Sequence, residues 1–226
     1  MKRILFPLVF GLVGIAILLS LGNWQLHRLA WKEDLLARIE RRIAAEPVPL
    51  PKAPDPERDR YLAVRVRGRY LPGEIRVLGS LPGERGGPGF RIIQPFETDD
   101  GRRILVDHGM VPQRLRDAPR KAGAAEIVGN LDWPRESDRF TPDPDLAAGI
   151  WFARDVPRMA ARLKTEPVLL VVRRESPADP GIIPVPVSTR GIPNNHLNYA
   201  ITWFLLALGW AGMTGLWLWR IRRRKG

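Results

Sequence analysis

The chain has 226 residues, 45% of them hydrophobic and 27% charged, a globular balance that excludes a wholly disordered protein. It has no cysteine and three widely spaced histidines, His27, His108 and His196. That excludes disulfide scaffolds, thiol nucleophiles, iron–sulfur ligation and cysteine-based zinc or copper sites. The formal charge of +12 and a pI near 11.0 would ordinarily raise nucleic acid as a partner, but seven of the basic residues sit at the two ends and arginine outnumbers lysine 30 to 6. The excess therefore reads as topology and coding bias, and no nucleic-acid role is assigned.

A mean hydropathy of -0.17 conceals how unevenly the apolar residues are placed. Residues 4–21 contain no charge, and neither do residues 200–219. About 20 residues at 1.5 Å rise cross a hydrocarbon core of about 30 Å, so each segment is expected to span a bilayer. Lys2 and Arg3 resemble the start of a signal peptide. The apolar run is longer than an h-region of about 7–15 residues, and it passes into Trp24 and Lys32 without a cleavage site, so a retained anchor is expected. Basic residues flank both spans on their far sides, Lys2 and Arg3 before the first and Arg220, Arg222, Arg223, Arg224 and Lys225 after the second. The positive-inside rule then predicts a cytoplasmic segment 1–3, spans at 4–21 and 199–219, and a cytoplasmic basic tail at 220–226. Residues 22–198 form the extracytoplasmic domain, and a bacterial plasma (inner) membrane fits best.

Within that domain, residues 24–43 continue the first span as a helix, with Leu29, Leu35, Leu36, Ile39 and Ile43 at helical spacing. A proline-rich, charged stretch at 46–60 reads as an extended linker. Seven strands follow at 62–70, 75–81, 90–96, 103–111, 125–133, 150–153 and 168–174, punctuated by Pro72-Gly73 and by Asp99-Asp100-Gly101. One short helix is expected at 155–163 with Asp155 as N-cap before Pro157. Residues 176–193 carry five prolines and read as a second extended linker. The predicted fold class is two transmembrane α-helices flanking a β-rich α+β domain, a sandwich or partial barrel.

No catalytic constellation is legible. The glycine-rich run at 83–90 lacks phosphate-loop spacing and precedes a strand, so it reads as a hairpin loop. Asp107 and His108 are neighbours on a strand, point to opposite faces and cannot orient one another; they read as a strand end. An enzymatic role is not assigned. Next to the membrane the pattern is more specific. Trp24, Arg28 and Trp31 share one helix face just beyond the first span. His196, Trp203, Trp210 and Trp217 recur at seven-residue spacing into the second, beside a small-residue strip of Ala207, Ala211 and Gly215. Two readings stand. In one, this face packs on the first span and His196 hydrogen-bonds at the interface. In the other, it is an aromatic-lined porphyrin site with His196 as axial iron ligand and Arg28 reaching a propionate; His27 could then supply a second ligand.

The segments LGNWQLHRLAWK (21–32) and PNNHLNYAITWF (193–204), with GRYLPGEIRVLG (68–79), ILVDHGMVP (104–112) and the run from Trp151, resemble the surfeit locus protein family. The resemblance spans nearly the whole chain. It departs at His108 and Met110, where the family usually has an arginine and a tryptophan. What it implies is a cytochrome c oxidase assembly factor that assists haem a insertion into the catalytic subunit of the terminal oxidase by binding haem a transiently. His196 matches the family's haem-associated histidine, Trp24, Gln25, Arg28 and Trp31 match the first motif, and Asn194 and Tyr199 match the second; Trp203 joins this set from the aromatic stripe. The implied partners are the oxidase subunit, haem a or its synthase, and membrane lipid. The competing reading is a scaffold that stabilises an oxidase subunit without binding haem. Copper delivery lacks ligands, since there is no cysteine and the four methionines are scattered.

Overall fold

A computed structural model describes residues 2–83, 86–120 and 122–223, without the side chains of Lys2 and Arg3. Met1 of the expected N-terminal segment, Glu84 and Arg85 of the glycine-rich run, and Arg224, Lys225 and Gly226 of the basic tail lie outside the described residues. The chain divides into two units, residues 1–38 with 189–226, and residues 39–188.

The first unit is built on two helices, α1 (Lys2–Ala44, of which residues up to 38 belong here) and α3 (His196–Arg223), numbered as the third helix in chain order after a short one at 156–163. Both are long and apolar enough to cross a membrane. Leu5, Phe6 and Leu208 are 60%, 68% and 71% exposed, which a buried core helix would not tolerate and lipid would. The helices run antiparallel. A Cβ at Gly11 would strike Thr214, one at Gly14 the Trp210 indole, and one at Gly22 the Phe204 ring. Phe10 adds a ring contact to Trp210 at 5.4 Å. Glycines on α1 thus make the room that lets the larger α3 side chains settle against its backbone. The small-residue strip expected on α3 contributes less. Ala207 is buried there, but Gly215 is exposed with no atom near.

The second unit is a barrel. Its strands are β1 (Val48–Pro49), β2 (Ala63–Tyr70), β3 (Ile75–Ser80), β4 (Pro88–Thr98), β5 (Arg103–Pro112), β6 (Gly123–Asp132), β7 (Ile150–Trp151) and β8 (Leu169–Ser176). The sheet order is β1-β2-β6-β8-β5-β4-β3-β7, and β2 pairs with β4 as well, which closes β2, β6, β8, β5 and β4 into a five-stranded barrel. Gly68 permits that closure. From there to Tyr70, β2 keeps its pairing with β6 on one edge and takes β4 on the other, Gly68 opposite Thr98, and a Cβ at Gly68 would run into the Glu97 carbonyl. Alternation in β2 sends Val64, Val66 and Tyr70 inward and Arg65, Arg67 and Arg69 outward, where they pair with Glu126 and Glu97.

β5 and β8 are apolar on both faces because each is covered on both. Ile104, Val106, Leu170 and Val172 fill the barrel with Phe96, Ile127 and Leu131. Their neighbours Leu105, Leu169 and Val171 point outward and are sealed by Val156, Met159 and Ala160 of α2 (Val156–Leu163). The Asp155 carboxylate caps α2 by accepting from the Arg158 N–H at 3.1 Å, and Lys164 ends it in the left-handed conformation. The two proline-rich stretches are more tied down than free linkers. β1 lies within the first and pairs parallel with β2, and in the second Ile183 exchanges two backbone hydrogen bonds with Met110 of β5.

On the barrel's outer side Asp107 is fully buried between Arg91 at 2.7 Å and Arg154 at 3.3 Å, and Arg154 reaches on to Glu136 at 2.5 Å. Burial pushes the Glu136 carboxyl up, but the hydrogen bonds and charge of Arg154 push it further down, leaving it below the ordinary carboxylate range. A carboxyl depressed in the folded state adds stability above its unfolded pKa of about 4.3, and that stability is lost as pH falls through the folded value below it. Glu136→Gln is therefore expected to lower the thermal midpoint at neutral pH and to flatten its decline in acid. Parallel acid limbs for wild type and variant would contradict this.

Candidate functional site

The two membrane-proximal motifs meet within the helical unit. Gln25 lies on the α1 face that carries Gly11, Gly14 and Gly22 toward α3, and its side-chain oxygen faces His196 Nδ1 at 2.8 Å. His196 is the first residue of α3 and is half-buried. An amide oxygen can only accept, so Nδ1 is the donor of this pair, and Nε2 has no hydrogen-bond partner among the described residues. An imidazole anchored through one nitrogen with the other free to donate electrons is the donor set that metal-binding histidines show. Two turns further along α1, Lys32 donates to the Pro193 carbonyl, tying down the irregular segment that leads into α3.

Around this pair, the Arg28 guanidinium lies 4.0 Å from the centroid of the Trp31 ring. Trp24, Arg28, Trp31 and Tyr199 are exposed, while Trp203 is half-buried. Asn194 is half-buried with its side-chain oxygen unpartnered among the described residues. Trp203 and Trp210 follow His196 on the side of α3 turned to α1, and Trp217 is exposed. His27 does not join the cluster. Its Nδ1 faces the Asn23 carbonyl at 2.9 Å, and it stands about 200° round the helix from Gln25.

His108 belongs to the other unit and lies inside β5, not at a strand end. It is buried, its ring centroid 4.6 Å from that of Tyr70 and its Nδ1 3.3 Å from a Glu175 carboxylate oxygen. Burial, then the Glu175 charge, push the Tyr70 phenol far up, so it stays neutral. Asp107 turns the opposite way, as strand alternation requires, and the two never form a dyad.

The chain matches the SURF1 family profile over residues 12–208, which includes both motifs, the whole barrel, most of α1 and the first part of α3. It belongs to the SURF1 family. Surfeit locus protein 1 of Rattus norvegicus is 31% identical over 228 residues, covering 91% of this chain and 72% of the relative. The protein of that name in Homo sapiens is 30% identical over 88% of this chain and 72% of its own length. A SURF1-like protein of Drosophila melanogaster is 29% identical over 99% of this chain and 80% of its own. Similarity across this range of animals falls on the full span-barrel-span organisation rather than on one segment.

Within this SURF1-family chain, the role of Gln25 as the partner of His196 was not legible in the sequence. It sits 171 residues away, and only its place on the glycine-bearing face of α1, three residues past Gly22, marks it as turned toward the other span. The pairing makes a direct prediction. Nitrogen NMR of the detergent-solubilised protein, labelled at histidine, should find His196 in the Nδ1–H form, and Gln25→Leu should move it toward the commoner Nε2–H form. An unchanged tautomer in the variant would rule out Gln25 as the anchor.

Proposed function

We propose that this chain is a membrane-anchored assembly factor for cytochrome c oxidase that takes haem a as cargo and holds it for insertion into the catalytic subunit. In this reading the basic flanks face the cytoplasm of a bacterial cell and the barrel segment lies across the inner membrane. His196 binds the iron through Nε2, and Gln25 sets the ring's orientation. Arg28 pairs with a propionate, and Trp24, Trp31, Tyr199 and Trp203 provide flat apolar surface for the macrocycle. A single neutral ligand suits a carrier, because loss of one bond releases the cargo to a better-ligated site. The partners are then the oxidase subunit, haem a synthase as the source of cargo, and membrane lipid.

The observation that carries the proposal is the Gln25–His196 contact, which joins the two motifs on which the family resemblance rests and leaves Nε2 without a hydrogen bond among the described residues. One observation favours the scaffold alternative. Trp210 packs on Gly14 and Phe10 of α1, so part of the aromatic stripe is committed to helix packing. The two readings separate on purification of wild type and His196→Ala from a host that makes haem a. The carrier reading expects a Soret band with roughly one haem per chain in wild type, reduced about tenfold or more in the variant. Equal, haem-free spectra beside intact oxidase assembly in both would leave only the scaffold.

A further inference from the structure

Along the helix pair from the Gln25–His196 contact lies an open groove of ≈ 440 Å³, walled by Ile17, Leu18, Leu206 and Met213 with Gly209 and the Trp210 ring. Its lining is hydrocarbon and indole throughout. Trp31, Trp24 and Ile17 succeed one another at seven-residue intervals along α1, and Tyr199, Leu206 and Met213 do so along α3. Seven residues return to the same helix face within about 20°. On each helix, therefore, the strip that walls the groove also carries the aromatic residues beside His196. Arg28, stacked on Trp31, falls within the same strip. Groove and cluster form one continuous face, about 21 Å long from Tyr199 to Met213 at 1.5 Å per residue, cationic and aromatic at one end and purely apolar at the other.

That polarity selects an amphiphile whose flat, anionic head sits by Arg28 and whose hydrocarbon tail runs down the helices. Resting on the reading of His196 as the iron ligand, we propose that the groove seats the isoprenoid tail of a tailed haem, so that this chain distinguishes tailed from tail-less porphyrins. In lipid the tail gains no hydrophobic transfer energy, and selectivity comes instead from packing on walls that are already formed. Gly209 keeps the groove open, since a Cβ there would have no heavy atom within 4 Å. A large side chain at that position starts from open space on the groove, whose lining also includes Gly14 of the helix contact.

The test uses the full chain in phosphatidylcholine nanodiscs, titrated with haem o and with haem b, which differ only in the tail, and read by Soret absorbance against empty discs. Wild type is expected to bind haem o about fivefold or more tightly than haem b. Gly209→Phe should abolish that preference by weakening haem o alone, and His196→Ala should lose the ligated spectrum with both. Equal binding of the two haems by wild type, or a preference that survives Gly209→Phe, overturns the groove's role while leaving the His196 site standing. Equal weakening of both haems by Gly209→Phe overturns it too, by showing that the substitution disturbs the ring site. If wild type shows no ligated spectrum with either haem, the His196 reading itself fails and the groove proposal falls with it.

Discussion

Two helices in lipid have no hydrophobic reason to adhere, because hydrocarbon surrounds them whether they touch or not. What holds α1 to α3 must be packing and polar contact, and both depend on how closely the backbones approach. Gly11, Gly14 and Gly22 set that approach. Each gives a side chain of α3 a place that a Cβ would fill, and the Phe10–Trp210 ring contact closes around the middle of the three. Only with the helices this close does the Gln25 amide reach His196. The orientation of the imidazole, and the second nitrogen it presents, are thus consequences of three missing side chains about one to four turns away.

The barrel solves a different problem by ordinary aqueous means. Strands that are apolar on one face only would leave the closed sheet with a wet exterior. Here β5 and β8 are apolar on both, and α2 covers the outer side. Two of its charged groupings stand in contrast. One is the exposed arginine–glutamate ladder of β2, worth little individually in water. The other is the Arg91–Asp107–Arg154–Glu136 chain, where a fully buried carboxylate is tolerated because two guanidiniums meet it.

Much of this was readable from residue order. The alternation of Val64, Val66 and Tyr70 with arginines, the Asp155 cap and the uncharged runs near each end mark the strands, the short helix and the two long helices within a few residues of where they lie. Closure of the barrel was not legible, because it rests on β2 taking β4 as a second partner from Gly68 onward, a tertiary event with no local signature beyond one glycine. The sealing of Leu105, Leu169 and Val171 by α2 was hidden for a similar reason, since a doubly covered strand and a buried helix segment have the same apolar content. In the helical unit, the small residues on α3 looked like the contact strip. Packing was decided instead by which helix carried the larger partners, and Thr214, Trp210 and Phe204 on α3 required the glycines to be on α1. His196 stood out by its spacing to the tryptophans, whereas the amide that orients it could be found only in three dimensions.

The helix contact on which the site depends can be tested in a chain that has no cysteine of its own. Gly11→Cys with Thr214→Cys places two Cβ positions 3.0 Å apart, within relaxation distance of a disulfide, whose Cβ atoms lie about 3.8 Å apart. Val13→Cys with Leu208→Cys places two on exposed faces. Mild oxidation in membranes should cross-link the first pair nearly completely within one chain and leave the second unlinked. Equal cross-linking of both pairs, or of neither, would show that α1 and α3 do not meet on the glycine face, and the orientation assigned to His196 would lose its basis.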